Sequence, residues 1–136
     1  MAQLNPYLNF DNNCREAMSF YKDCLGGELT LQTVGEMPAM AAQMPPQFKD
    51  SILHSMLKSG DIVIMASDLS REKRVEGNTV HLCINCASAE ELNSFFSKLS
   101  VGGLVTEPVA DMPWGGTYGA LTDKYEKHWV FNFQKG

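Results

Sequence analysis

The sequence predicts an α+β fold built from two βαβββ modules related by a pseudo-twofold axis, and three observations lead to it. Apolar side chains recur at helical spacing in two segments, near residues 13–25 and 88–100. Each segment follows one β-rich, alternating stretch and precedes three more. The halves also match at one common offset: Asn13 with Ser88, Glu16 with Glu91, and Phe20 with Phe95. Two copies are too few for a solenoid, so we expect one domain with internal symmetry.

Both predicted helices carry start and stop signals. Asn13 precedes Glu16 by three residues, and Ser88 precedes Glu91 in the same way, which is the capping-box pattern. A Gly-Gly pair follows each segment and suits a left-handed cap at the helix end. The sequence therefore predicts two capped, amphipathic helices.

The strands are predicted from alternation and from β-forming residues. In the first module they span 4–10, 28–34, 52–57 and 62–67, and in the second module 79–86, 104–109, 118–122 and 128–134. A charged stretch at about 69–77 predicts a solvated linker between module one, about 1–68, and module two, about 78–136. We expect both modules to belong to a single domain covering 1–136.

Composition limits the partners of this chain. Its 136 residues carry a net charge of −5 at pH 7, without the basic excess of a duplex-binding surface. No stretch approaches the roughly 18 consecutive apolar residues of a membrane span, and the N-terminus shows no export signal. We therefore expect a cytoplasmic protein with reduced cysteines, and neither nucleic acid nor a membrane as its partner.

Cys83 and Cys86 form a CxxC motif, a pattern found in redox and zinc sites. The surrounding stretch, 79–86, alternates like a strand. Residues three apart on a strand point to opposite faces, so these two thiols are not expected to hold a metal together or to form a disulfide.

Strand alternation assigns a polar and an apolar face to the predicted sheets. The polar positions are Asn5, Tyr7 and Asn9 in the first strand, His81, Cys83 and Asn85 in the fifth, and His128, Val130 and Asn132 in the last. The apolar positions, which include Leu4 and Val80, suit a surface beneath the helices. A sheet with helices on one face and a concave polar second face predicts a small-molecule cleft, and a solvated sheet face is the alternative.

The longest irregular stretch, 35–50, contains three methionines and three prolines. We expect it to pack on a partner subunit or to form a loose loop. A lid over the cleft is the alternative, since loops of this length often close over sites and Met-rich surfaces adapt to apolar ligands.

Several motifs resemble those of a known superfamily. They are Pro6-Tyr-Leu-Asn-Phe, Ala17-Met-Ser-Phe-Tyr and Leu25-Gly-Gly in the first half, and Trp114-Gly, Tyr118-Gly, Leu121-Thr-Asp and Trp129 in the second. With the paired βαβββ halves, the chain resembles the glyoxalase/bleomycin resistance/extradiol dioxygenase superfamily, also called vicinal oxygen chelate (VOC), and within it the PhnB-like branch. The resemblance covers essentially the whole chain and implies that fold, together with a homodimer.

The function implied by this resemblance is broad, because the superfamily contains lyases, isomerases, dioxygenases and drug-sequestering proteins. Some PhnB-like proteins carry a 3-demethylubiquinone methyltransferase label. No glycine-rich nucleotide loop after a first strand supports that activity here.

The resemblance also implies where a metal would be held. Metal enzymes of the superfamily place His or Glu at pocket-facing positions of the first and fourth strands of each half. The matching positions here are Asn5 or Pro6, Met65, His81 and Val130, and only His81 is a good ligand for a divalent cation. We therefore expect no metal site and no cofactor, with a metal-dependent lyase, isomerase or dioxygenase as the alternative.

Six residues are the candidate ligand contacts in the cleft: Tyr7, His54, His81, Trp114, Tyr118 and Asn132. Aromatic walls with a few polar groups suit a flat or cyclic molecule, and the lack of Lys and Arg disfavours a highly phosphorylated one. His54 and His128 keep a three-histidine zinc site with His81 open as an alternative. A binding protein and an enzyme therefore both remain possible, and no catalytic residue is predicted.

Overall fold

A computed structural model of the chain describes residues 2–69 and 73–134 and divides it into two units, Met1–Arg74 and Val75–Gly136. Among the described residues, each unit contains one four-stranded sheet and one longer helix. No helix in these two stretches is both long and apolar enough to cross a membrane.

The first unit has the order βαβββ, with short helical turns inserted between its second and third strands. Its elements are β1 (Tyr7–Asn9), α1 (Cys14–Leu25), β2 (Glu28–Thr33), α2 (Pro38–Ala41), β3 (Ile52–Ser59) and β4 (Ile62–Ser67). The strands lie side by side in the order β1-β4-β3-β2. β1 runs parallel to β4, and the other neighbours are antiparallel.

The second unit repeats this arrangement. Its elements are β5 (Leu82–Asn85), α3 (Ala89–Leu99), β6 (Leu104–Asp111), β7 (Gly116–Thr122) and β8 (His128–Gln134). The strand order is β5-β8-β7-β6, with β5 parallel to β8 and the other pairs antiparallel. Together the two units confirm the predicted α+β class and the two βαβββ modules.

Each helix buries its apolar stripe against the sheet of its own unit. In α1 the buried residues are Cys14, Ala17, Met18, Tyr21, Cys24 and Leu25. In α3 they are Leu92, Phe96 and Leu99, and the Phe96 ring meets that of Phe131 in β8 edge-on at 5.6 Å. Burying one such large apolar side chain stabilises a fold by roughly 1.5–3 kcal/mol, so these stripes hold the helices in place.

The start of α1 is not capped as the sequence predicts. The Asn13 side chain makes no bond to the helix amides, and its Oδ1 accepts a hydrogen bond from the Asp11 amide at 3.2 Å. Asp68, just after β4, takes this role: its Oδ1 accepts from the Cys14 amide at 3.0 Å, and its Oδ2 from the Ile52 amide at 2.8 Å. The prediction of a capping box at Asn13 is wrong, because the Asp68 carboxylate accepts the hydrogen bond at the positive N-terminal end of the helix instead.

The predicted cap of α3 is present at its start. Ser88 Oγ accepts from the Glu91 amide at 3.0 Å, and the Glu91 carboxylate accepts from the Ala87 amide at 2.9 Å, one residue earlier than a standard capping box. The glycine stop signal holds for α1, where Gly26 follows the helix at φ 78°. α3 instead ends with Ser100 in the right-handed conformation, and its glycines lie in the following turn.

Several predicted strand ends are wrong. β1 and β5 are shorter than expected, so Leu4 is 99% exposed and Val80 is 75% exposed, and neither belongs to the core. Alternation alone does not show where a strand loses its partner. β3, β6 and β7 extend beyond their predicted ends, and the stretch 35–50 contains α2 and 3₁₀ turns rather than plain loop.

Part of the predicted linker is held against the second unit. Residues 70–72 lie outside the described residues. Beyond them, the Lys127 ammonium donates to both carboxylate oxygens of Glu76 at 2.9 Å, and His128 Nε2 donates to the Gly77 carbonyl at 2.8 Å. The end of the linker is therefore fixed to the start of β8 rather than only solvated. The assignment of one domain to the whole chain stays a prediction.

Candidate functional site

Each sheet packs its helix on one face, and the candidate site residues lie on the other, here named the far face. In the first sheet, Tyr7 is paired in register with Met65, and Met65 with Met56. Ser55, the neighbour of Met56, points toward α1, where its Oγ lies 3.5 Å from Cys14 Sγ. Because neighbours on a strand point to opposite sides, Met56 and its row belong to the far face.

Tyr7 and His54 come together on this first far face. Their ring centroids are 6.4 Å apart and the rings are inclined by 29°. His54 lies two residues before Met56 and so shares its side of β3. The first far face is thus a surface of two aromatic rings beside polarizable thioethers, a chemistry suited to flat apolar groups.

The far face of the second sheet is a set of cross-strand rows. A Cβ on Gly119 would lie 2.9 Å from the Phe96 ring of α3, so Gly119 faces the helix and its neighbours in β7 face away. The register then gives four rows on the far face: Thr122 with His128, Ala120 with Val130 and Cys83, Tyr118 with Asn132 and Asn85, and Gly116 with Gln134.

Both ring nitrogens of His128 are used within the second unit. Nδ1 lies 2.8 Å from Thr122 Oγ1, and Nε2 lies 2.8 Å from the Gly77 carbonyl oxygen. A carbonyl oxygen only accepts, so Nε2 carries a proton and donates it to Gly77, while Nδ1 shares a hydrogen bond with the Thr122 hydroxyl. The His81 ring is 5.2 Å from that of His128, but it meets a histidine whose nitrogens are already engaged.

The third row combines an aromatic ring with two amides. Asn132 Nδ2 donates to Asn85 Oδ1 at 3.2 Å, and the half-buried Tyr118 is the register neighbour of Asn132. Burial raises the pKa of Tyr118, and the Glu107 carboxylate and the Cys83 thiol add to this shift. The phenol therefore stays protonated at neutral pH and is available as a hydrogen-bond donor.

Trp114 lies in the turn before β7 and is 62% exposed. A Cβ on Gly116 would come within 3.0 Å of Trp114 Nε1 and 2.9 Å of Gln134 Oε1. Gly116 stands two residues before Tyr118 and shares its face, so the indole edge overhangs the end of the second far face. A residue larger than glycine at this position would displace the indole.

The structure thus distributes the six predicted contacts between the units. The first unit holds the aromatic pair of Tyr7 and His54. The second far face holds His81, Tyr118 and Asn132, with Trp114 at its end. Their use of one common ligand stays a prediction.

The residues present do not fit the metal site that the superfamily implies. Met65 and Val130 offer no hard ligand, and His128 has no ring nitrogen to spare beside His81. Between residues 2 and 69 and between 73 and 134, no three His, Cys, Asp or Glu side chains are grouped so that they could hold a metal ion. We therefore derive no chemical step through a metal.

The CxxC thiols face opposite ways, as predicted from alternation. Cys83 is exposed on the second far face, whereas Cys86 is buried, and burial raises the pKa of its thiol to about 11. Burial also raises the pKa of Cys14 to about 11. All four cysteines are free thiols, and the two with raised pKa values are poor nucleophiles.

Sequence reasoning missed an open cavity of about 590 Å³ in the first unit, beside the first turn of α1. Its polar lining includes Asn12, Arg15, Gln47 and Asp50. Three parts of the chain, at 12–19, 47–51 and Asp68, form it together, so no local sequence pattern indicates it. The partnership of Asn85 with Asn132 was missed for the same reason.

The two βαβββ modules, each with a helix on one face of its sheet, define a protein of the VOC fold. The sequence model of the Glyoxalase/Bleomycin resistance protein/Dioxygenase superfamily matches residues 3–131, and the chain belongs to this superfamily. It is 31% identical over 140 residues to protein YjdN of Escherichia coli K12, which covers 97% of this chain and 95% of that protein.

Solved structures share this fold. Protein PA1353 from Pseudomonas aeruginosa is 33% identical, with a TM-score of 0.85 and full coverage of both chains. The PhnB protein from Bacillus cereus has a TM-score of 0.73 at 20% identity and covers 97% of this chain and 99% of its own, a likeness that shows the fold alone. The predicted superfamily is confirmed, and a PhnB protein is among its structural neighbours.

Proposed function

We propose that this chain binds a small polar or aromatic molecule on the far faces of its sheets, without the metal quartet of the superfamily's metal enzymes. The second far face carries the proposal, because its centre is apolar and its flanks are polar. Ala120 and Val130 lie in the second of its four rows. The Tyr118–Asn132 row follows on one side, and the polar row of His128 precedes it on the other. A solvated sheet face needs no such apolar centre, whereas ligand sites combine apolar area with a few fixed polar groups.

The alternative, a metal-dependent lyase, isomerase or dioxygenase, has one observation in its favour, the 5.2 Å approach of the His81 and His128 rings. Both nitrogens of His128 are engaged, and Met65 and Val130 cannot replace the missing hard ligands. Binding without a divalent metal therefore fits the donor set better. No catalytic residue is assigned.

The charge of the site supports an uncharged or weakly polar ligand. None of the six candidate contacts is Lys or Arg, so a highly phosphorylated molecule would lack counter-charges. We also propose a cytoplasmic location, because free thiols suit a reducing compartment and all four cysteines are free. We further propose that the chain forms a homodimer.

A fragment screen by ¹H–¹⁵N NMR on the full chain tests this function. Neutral, flat aromatic fragments should shift the amides of residues 83–85, 118 and 130–132. Tyr118→Ala should weaken these fragments about five- to tenfold, because an aromatic contact contributes about 1 kcal/mol beyond its area. Tyr118→Phe, which keeps the ring, should retain most of the affinity.

Asn93→Ala is the matched control, since Asn93 is exposed on α3 and away from the far face. It should leave every dissociation constant unchanged. Fragments that bind only at other surfaces, or that bind the Tyr118→Ala variant as well as the wild type, would show that the far face is a solvated sheet surface.

A further inference from the structure

We infer that the second far face selects a planar molecule that carries a lactam or cis-amide edge, in which an N–H donor stands beside a C=O acceptor. The inference rests on the proposed function and adds the chemical class of its ligand. It follows from the pairing of Asn85 with Asn132 and from the groups around that pair.

The single hydrogen bond between the two amides leaves N–H donors and one carbonyl oxygen unused. Asn132 Nδ2 donates to Asn85 Oδ1 at 3.2 Å, and the Cys83 thiol approaches the same oxygen at 4.0 Å. Both acceptor positions of that oxygen are therefore taken. Within the described residues, both N–H groups of Asn85, the second N–H of Asn132 and the carbonyl oxygen of Asn132 remain available to a ligand.

This result does not depend on how either amide is oriented. In a pair of primary amides joined by one hydrogen bond, one amide donates and the other accepts. If both were turned over, Asn85 would donate and Asn132 would accept. In each case the NH₂ group of one amide and the carbonyl oxygen of the other remain on the far face, and a lactam edge presents the complementary acceptor and donor.

The surroundings of the pair favour a planar, uncharged ring. Tyr118 stands beside Asn132 in the same row, and Ala120 and Val130 provide apolar area in the next. Glu107, the register neighbour of Ala120, contributes a negative charge. The strands β5–β8 carry no Lys or Arg, so a carboxylate ligand would find no positive side chain there and would be repelled by Glu107. A neutral lactam avoids this repulsion.

Two matched probes test the inference: isoquinolin-1(2H)-one, and its N-methyl derivative, which keeps the ring and the carbonyl but loses the donor. Dissociation constants are measured by ¹H–¹⁵N NMR titration of the full chain. The lactam should bind roughly three- to tenfold more tightly than the N-methyl compound, the worth of one hydrogen bond at a partly exposed site. The largest shifts should be at residues 85, 118 and 132.

Asn132→Leu should abolish this preference, so that both probes bind alike, and Asn93→Leu on α3 should preserve it. The spectrum of each variant shows whether it is folded. Asn85 supplies the N–H that meets the carbonyl of both probes, so Asn85→Leu should weaken both and leave the ratio of their dissociation constants close to that of the wild type. Equal affinity of the two probes for the wild type would overturn the lactam preference and leave the proposed function standing. If neither probe shifts the amide resonances of the far face, the proposed function fails as well. If the preference for the lactam over its N-methyl derivative survives both Asn132→Leu and Asn85→Leu, the lactam is recognised at another place on the protein.

Discussion

Asp123 lies between β7 and β8, is 3% exposed, and accepts hydrogen bonds through both oxygens of its carboxylate. Oδ1 accepts from the amides of Tyr125 at 2.7 Å and Lys127 at 3.1 Å, and Oδ2 accepts from Trp129 Nε1 at 2.7 Å. One side chain therefore closes the turn and positions a buried indole. The Leu121-Thr-Asp motif that marked the family resemblance has a structural role in this chain.

Asp123→Asn should lower the free energy of unfolding by about 2–3 kcal/mol, because its amide N–H₂ would face the N–H donor of Trp129 or the backbone donors of the turn. Guanidinium denaturation measures the change. Asp61→Asn, in the exposed turn between β3 and β4, is the control and should change stability by less than about 0.5 kcal/mol. Equal denaturation midpoints for both variants would contradict the role given to Asp123.

The buried thiols make stability depend on alkaline pH. Burial raises the pKa of Cys14 and of Cys86 from 9.0 to about 11. In the unfolded chain these thiols lose their protons above pH 9, whereas the folded chain holds them up to about pH 11. Because the folded state binds more protons in this window, the free energy of unfolding should fall as pH rises through it.

Urea denaturation at pH 8, 9 and 10 measures that fall. The double variant Cys14→Ala, Cys86→Ala should show a shallower decline, because its unfolded state no longer gains two ionising thiols. Lysines and tyrosines titrate in both proteins, so the comparison isolates the two cysteines. Identical slopes in the two proteins would refute the effect.

The helices were predictable to within one residue at each end because their signal is local. Apolar spacing indicated 13–25 and 88–100, and the structure has Cys14–Leu25 and Ala89–Leu99. Elements that depend on distant partners were not predictable in the same way. The amide of Cys14 is capped by Asp68, 54 residues away, and no pattern around Asn13 reveals this competitor. The strand ends near Leu4 and Val80 were wrong for the same reason.

β6 is one of the two edge strands of the second sheet, and all of its residues except Val109 are exposed. Leu104 is 66% and Val105 41% exposed, although both are apolar. Exposed apolar edges promote pairing with another chain unless they are covered. We therefore expect β6 to contribute to the proposed homodimer.

Leu104→Lys should convert the proposed dimer into a monomer of about 15.1 kDa, because it places a charge among the exposed apolar residues at the start of β6. Light scattering coupled to size exclusion at micromolar concentration measures the mass. Val75→Lys, at an exposed apolar position outside the strands, should remain dimeric. A monomeric wild type, or a Leu104→Lys variant with an unchanged mass, would show that β6 is not an interface.

For the molecule as a whole, the sequence indicated which residue types occupy the far faces but not how they are grouped. Alternation placed Asn85 and Asn132 on polar sides of their strands, and only the β5–β8 register brings these residues, 47 positions apart, into one hydrogen-bonded pair. Trp114 was predicted as a ligand contact, and the structure adds that its indole overhangs Gly116. Superfamily membership establishes the fold and leaves the chemistry to such groupings.

The chain is expected to fold without a divalent metal. Protein purified without chelator should contain well below one equivalent of zinc, manganese or iron by mass spectrometry, and EDTA should leave its melting temperature within about 1 °C. A metal present at 100 times its dissociation constant would stabilise the fold by about 2.7 kcal/mol, or roughly 6–10 °C for a chain of this length. Such a shift is therefore easy to detect. The metal-dependent alternative would be established by two results together. The protein would contain stoichiometric metal whose removal by EDTA lowers the melting temperature by several degrees, and the His81→Ala variant would no longer bind it. His81 is the test position because it is the one good ligand among the matching positions.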